Sequence, residues 1–258
     1  KKLEEIYKIS WKGNSDTETL IESFCYFGIE KTINLVEGMY AFALLDIKNE
    51  KLFLGRDLFG EKPLYYYNDK EIIFSSEVHN IDENLFSINQ KAIYQFLHYN
   101  YIPNSNCIYN NWNKVNPGEV IAFDKNLNLI EICNLKKNIL NEIKLNQKIF
   151  NHDAEKEFDK TFTKVINDIL VADVDVGVFL SGGVDSSLVA HYAKKIKKDL
   201  KTFSIGIKNN KDYDESAQSE KISNFLQTDH ETFFVENDEI IENLENAVLS
   251  FDEPFADS

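Results

Sequence analysis

The chain has 258 residues with a 43% hydrophobic and 13% aromatic share, enough for one large or two modest packed cores and too apolar for wholesale disorder. Lys and Arg total 28 against 43 Asp and Glu, and the resulting charge of −15 argues against nucleic acid as a partner, because so acidic a surface repels phosphate backbones. No apolar run reaches the roughly 18 residues of a membrane span, so no membrane partner is expected, and no charged-then-apolar leader opens the sequence.

In chain order, Ser15-Asp16-Thr17-Glu18 has the spacing of a capping box and predicts a helix that opens there and runs towards Val36. Residues 40–47 and 52–56 are β-forming stretches around Lys48-Asn49-Glu50 and predict a hairpin. Residues 64–67 and 72–75 predict a second, around Asn68-Asp69-Lys70. A short helix follows over residues 90–99, and 119–124 with 129–133 predicts a third hairpin. Residues 1–133 therefore read as an α+β region dominated by antiparallel sheet. Cys25, Cys107 and Cys133 have neither metal spacing nor an even count and read as thiols of a reducing, cytoplasmic compartment.

Residues 134–152 are rich in Asn and Lys with weak periodicity, which reads as a linker. The texture then changes. Phe158, Phe162, Val165, Ile166 and Ile169 fall on one face of a predicted helix over 153–170. A continuous apolar strand is expected at 176–180, then a helix from about Ser187, a strand at 202–207, a helix at 214–226, a strand at 231–235 and a helix at 238–249. That alternation over 153–258 predicts an α/β parallel sheet covered on both faces.

Between the first of these strands and its helix stands Ser181-Gly182-Gly183-Val184-Asp185-Ser186. Glycines let backbone approach a phosphate, and the helix start supplies unpaired N–H groups and the positive end of its dipole. Ser181 and Ser186 add hydroxyl donors, whereas Asp185 repels bare phosphate and is assigned to Mg²⁺ bridging the phosphates. The position, at a strand's carboxyl end, is where open α/β sheets bind ligands. There is no Walker-type Gly-Lys-Ser/Thr and no G-x-G-x-x-G spacing. Ile205, on the neighbouring strand, either reads an adenine edge or is core packing. Asp252-Glu253-Pro254-Phe255-Ala256-Asp257 is either a site element or a Pro-terminated turn on an acidic surface. His230 reads as a satisfied polar residue at a strand start, with no role.

Ser-Gly-Gly-x-Asp-Ser resembles the pyrophosphate loop of the ATP pyrophosphatases. Glu37-Gly38-Met39-Tyr40-Ala41-Phe42-Ala43-Leu44, the run from Arg56-Asp57 to Lys62-Pro63-Leu64-Tyr65-Tyr66, and Ser75-Ser76-Glu77 resemble the class II glutamine amidotransferase domain. Tyr101-Ile102-Pro103, Val115-Asn116-Pro117-Gly118-Glu119, Asp214-Glu215-Ser216 and the segment from Asp252 to Ser258 extend the likeness over nearly the whole chain, to the glutamine-hydrolysing asparagine synthetases.

The resemblance implies part of an N-terminal nucleophile-type amidotransferase domain followed by part of an ATP-pyrophosphatase domain. Glutamine hydrolysis in the first would feed ammonia to the second, where ATP and Mg²⁺ adenylate aspartate. Ser181, Gly182, Gly183, Asp185 and Ser186 would take pyrophosphate and Mg²⁺, Phe179 and Ile205 the adenosine, and Asp16 the glutamine amino group. Arg56 and Asp57 are expected to pair in a structural polar network, with Gly60 and Pro63 shaping its turn. Such enzymes use an N-terminal cysteine as nucleophile, but residue one is Lys1, so no catalytic residue is assigned and the chain reads as an internal piece of a longer enzyme. Glutamine, aspartate and ATP are the expected small-molecule partners, and a homodimer is left open. Three other readings stand beside this one: amidation of another carboxylate, as in surface-sugar amidation or β-lactam closure, a nucleotide-binding relic, and a tRNA-modifying pyrophosphatase, which the acidic surface disfavours.

Overall fold

The computed structural model describes residues 11–13, 15–78, 86–103, 105–145, 151–208 and 214–256. The chain divides into two compact units, Lys1–Asn146 with Phe251–Ser258, and Gln147–Ser250.

In the first unit, helix α1 (Asp16–Phe27) starts where Ser15 Oγ accepts the Thr17 N–H at 3.1 Å. The expected capping box does not close. The Glu18 carboxylate instead accepts the N–H groups of Lys12 and Gly13 at 2.8 and 2.9 Å and ties down the chain ahead of the helix. Nor does the helix run on to Val36: Gly28, at φ +77°, leaves the helical region and a new short helix, α2 (Ile29–Ile33), begins after it.

The strands β1 (Ala41–Asp46), β2 (Lys51–Arg56), β6 (Glu119–Phe123) and β7 (Leu129–Asn134) form one antiparallel sheet in that order. A second antiparallel sheet has the order β4 (Ile72–Ser75), β3 (Tyr65–Asn68), β5 (Trp112–Lys114). Alternation along the strands sorts the core. Phe53, Val120 and Ala122 pack with Phe24, Ile33 and Leu135 from helices, the last opening α4 (Leu135–Leu145). On the opposite face, Leu54, Ile121 and Phe123 pack with Tyr66, Leu64 and Val115 of the second sheet and its flanks. Tyr65 and Tyr67, facing away from that interface, pack with Trp112 and with Ala92 of α3 (Gln90–Tyr99). The unit is thus layered helix, sheet, sheet, helix, with two antiparallel sheets face to face at its centre.

The Asn- and Lys-rich stretch at 134–152 includes α4, which buries Leu135 and is capped by Asn134 Oδ1 accepting the Lys137 N–H at 3.1 Å. Arg56 and Asp57 lie in a polar network but do not bond each other. Arg56 donates to the carbonyls of Lys62, Gly60 and Val115, while Asp57 accepts the N–H groups of Phe59, Glu61 and Lys62 at 3.0–3.1 Å. Each closes the same turn from its own side.

In the second unit, α5 (His152–Ile169) is capped by Asn151 Oδ1, which accepts from Asp153 and Ala154 N–H. There follow β8 (Gly177–Phe179), α6 (Val184–Ile196), β9 (Lys201–Ile207), α7 (Ser216–Leu226), β10 (Asp229–Val235) and α8 (Asn237–Leu249). The strands form a parallel sheet in the order β10, β9, β8. Ile166, Tyr192, Ala193 and Leu200 make its core, and the Tyr192 hydroxyl donates to Asp159 across α5 and α6 at 2.6 Å. One expectation fails here. The sheet is not covered on both faces among the described residues, because Phe179, Ile205 and Phe233, which the register places on one face, are 80%, 62% and 52% exposed. Among the described residues no helix is long and apolar enough to cross a membrane.

Candidate functional site

The loop after β8 is fixed at its entry. Leu180 is fully buried and its N–H donates to the Phe203 carbonyl at 2.7 Å, which sets the end of β8 beside β9. Four residues later α6 begins at Val184, earlier than the expected Ser187, with Gly183 as its N-cap. Asp185 and Ser186 therefore belong to the first helical turn and not to the loop. The N–H of Ser187 is the first to close on Gly183 O, at 3.1 Å, so the first-turn N–H groups ahead of it have no carbonyl of the helix behind them and point out of its positive end.

Gly182 sits at φ +84°, and a Cβ there would lie 2.9 Å from Gln218 Cγ and 3.2 Å from Ser219 N on α7. Glycine is required twice over, by conformation and by the close approach of a helix whose Ser219 is buried. The hydroxyls brace the turn. Ser181 and Ser186 Oγ are 2.9 Å apart, Ser186 Oγ accepts the Ser181 N–H at 3.3 Å, and Ser181 Oγ accepts the Gly183 N–H at 3.3 Å. Ser187 Oγ donates to Gly183 O at 2.6 Å.

The structure brings Phe179, Ser181, Gly182, Gly183, Asp185, Ser186 and Ile205 to the carboxyl edge of β8 and β9. Phe179 pairs with Phe203, two residues before Ile205 on the same face, so both apolar side chains stand exposed on the face beside the loop. Asp16 belongs to the first unit, at the exposed first position of α1, where its carboxylate accepts the Thr17 N–H at 2.7 Å. His230 is satisfied as expected, with Thr202 Oγ1 2.9 Å from Nδ1 and the Ser204 and Thr232 hydroxyls 3.3 Å from Nε2.

Sequence reasoning gave no site role to Asp214 or Gln218, which complete this edge. Hydrogen bonds from the Ser216 side chain and backbone hold the Asp214 carboxyl below its ordinary range, and its Oδ1 would lie 3.2 Å from a Cβ on Gly206, at the end of β9. The small residues Ser219 and Ser223, one turn apart on α7, were the readable sign that this helix packs closely.

Among the described residues no group of three or more His, Cys, Asp or Glu converges on a metal position. Asp185 is a lone carboxylate at a helix start. That donor set suits Mg²⁺, which keeps waters and takes one or two carboxylates together with phosphate oxygens.

The sequence pattern of the glutamine amidotransferase domain matches residues 1–131, and that of asparagine synthase matches residues 157–258. The chain belongs to the glutamine amidotransferase family. Among the proteins it is similar to is asparagine synthetase [glutamine-hydrolyzing] 1 of Bacillus subtilis, 28% identical over 252 residues that cover 96% of this chain and 39% of that protein. The asparagine synthetase [glutamine-hydrolyzing] of Rattus norvegicus is 27% identical over 288 residues, covering 98% and 45%. A Methanocaldococcus jannaschii protein that carries the same enzyme name provisionally is 29% identical over 269 residues, covering 99% and 50%. The chain spans about half the length of these relatives, or less.

Proposed function

We propose that this chain carries part of a glutamine-dependent asparagine synthetase: a glutaminase of the N-terminal nucleophile type in the first unit, and in the second a site that adenylates aspartate with ATP and Mg²⁺. The observation that carries the reading is the Ser181–Ser186 turn, with Gly182 held at φ +84° and Asp185 in the first turn of a helix whose N–H groups face outward. The paired antiparallel sheets of the first unit and the order of the two sequence matches support the other half of it.

In this reading an oxygen of the aspartate side-chain carboxylate attacks the α-phosphorus of ATP. The bond from that phosphorus to the α–β bridging oxygen breaks, and pyrophosphate leaves with the electron pair. Ammonia then attacks the acyl carbon, AMP leaves, and the extra proton passes to solvent. The amides at the start of α6 and the Ser181 and Ser186 hydroxyls hold the departing pyrophosphate in place, which stabilises charge where it develops. Asp185 would hold Mg²⁺, which would neutralise part of that charge when bound. Phe179 and Ile205 give the adenosine an apolar surface, and Asp16 takes the glutamine amino group in the first unit. Cys25, Cys107 and Cys133, none of them in a disulfide, fit a cytoplasmic setting. A homodimer is compatible with this chemistry.

The test is pyrophosphate release by the full-length enzyme with ATP, Mg²⁺ and ammonia, comparing aspartate with other carboxylates. Release with aspartate alone is expected. Release with a different acid assigns the same chassis to another acceptor, and no release with any acid reduces the loop to a nucleotide-binding relic.

A further inference from the structure

Residues 251–256 follow α8 and fall inside the stretch that matches asparagine synthase, yet they pack as part of the first unit. Val78, Asn100, Ile108 and Lys114, which bond to them, lie within residues 1–131, the stretch that matches the amidotransferase domain. Asp252 Oδ1 accepts the Val78 N–H at 2.8 Å, and the Ala256 N–H donates to Asn100 O at 3.0 Å. Between them, Glu253 is gripped from two sides. Its Oε1 accepts the Ile108 N–H at 2.8 Å, and its Oε2 takes Lys114 Nζ at 2.7 Å, with both side chains only 12% exposed. Lys114 Nζ also donates to Ile102 O at 3.0 Å. The Cys107 thiol is fully buried beside Glu253, and burial together with that carboxylate pushes the thiol up to about 12.

We propose that residues 252–256 are a strap that fastens the synthetase sequence into the amidotransferase fold, that the Glu253–Lys114 pair is its lock, and that releasing it uncouples glutamine hydrolysis from amide synthesis. The coupling half rests on the functional reading above; the lock does not. Removing either partner strands a charge in a mostly buried place, which makes release costly and close to all-or-none, whereas removing both leaves nothing stranded. A surface pair would lack that property, since solvent takes over from the lost partner.

Cys107 reports the lock directly, because its thiol lies against Glu253. In the full-length enzyme, Lys114→Met and Glu253→Gln should each speed native-state labelling of Cys107 about tenfold or more, with the double variant Lys114→Met/Glu253→Met slower than either. Cys133, in β7, should keep its wild-type rate. Equal acceleration at Cys133 would mean general unfolding and no lock, and wild-type rates at Cys107 in both single variants would overturn it too. For the coupling, Lys114→Met should raise the glutamate formed per asparagine above the wild-type ratio while ammonia-dependent synthesis stays unchanged. An unchanged ratio with Cys107 released refutes the coupling alone. If the wild-type enzyme makes no asparagine, the functional reading fails and the labelling still decides the lock.

Discussion

Asp57 is 1% exposed and ionised, and its stability effect runs through the backbone. Burial by itself would raise its carboxyl, but N–H groups of Lys62, Glu61, Gly60 and Phe59 outweigh burial and hold it below the ordinary range. A carboxyl lowered on folding stabilises above the unfolded value, near pH 4, and loses that contribution as the pH falls through the lowered folded value. Asp57→Asn should therefore cost about 2 kcal/mol at pH 7, and the gap to wild type should close in acid. Urea midpoints at pH 7 and pH 3 check this; a gap of the same size at both contradicts it. At Gly182 the expected change is functional. Gly182→Ala must take a left-handed φ and push into Gln218, so MgATP binding, measured by calorimetry, should weaken about tenfold or more. Of the three cysteines, exposed Cys25 should be modified by a thiol reagent long before Cys107, whose thiolate is suppressed by burial.

Among the elements, helix α5 carries the clearest stability test. Ile166 is 6% exposed in the core shared with Tyr192, Ala193 and Leu200, and Ile166→Ala should cost about 3 kcal/mol. Hydrogen exchange should then quicken in α5 and α6 and leave the β1–β2 hairpin unchanged; uniform quickening would contradict the division into two units. The elements that sequence made legible are those whose signals are local. The 90–99 helix, which the structure shows capped by Asn89 Oδ1 accepting the Lys91 and Ala92 N–H groups, is one; the β1–β2 hairpin has paired β-forming runs around a polar turn, and the parallel strands alternate with helices. What was not legible depends on partners distant in sequence. Glu18 closes onto Lys12 and Gly13 because the preceding chain turns back there. In the pattern alone Phe179 is one more residue of a continuous apolar strand, although the resemblance gave it to the adenosine, and only the register against Phe203 shows it lying on the open face. Residues 135–145 lack strong periodicity, yet Leu135 finds a pocket against Phe53 and Val120.

On the scale of the whole chain, two architectures stand in sequence, an antiparallel double sheet and a parallel sheet, each with its own cores. The residues of the turn proposed to hold phosphate were singled out by type and spacing, because glycine, hydroxyl and carboxylate each have few reasons to stand together between a strand and a helix, and the structure places that turn between β8 and α6. The seating of Asp252 and Glu253 was not, since an acidic cluster beside a proline looks like surface until Lys114, Ile108 and Val78 are found around it. The central claim is that the Ser181–Ser186 turn holds the β and γ phosphates as a leaving group. It is tested most directly by incubating the full-length enzyme with aspartate, ammonia and ATP labelled separately at the α and γ phosphates. The turn predicts AMP and pyrophosphate in equal amounts, one of each per asparagine, and their loss in Asp185→Asn. ADP and inorganic phosphate as the products would contradict it.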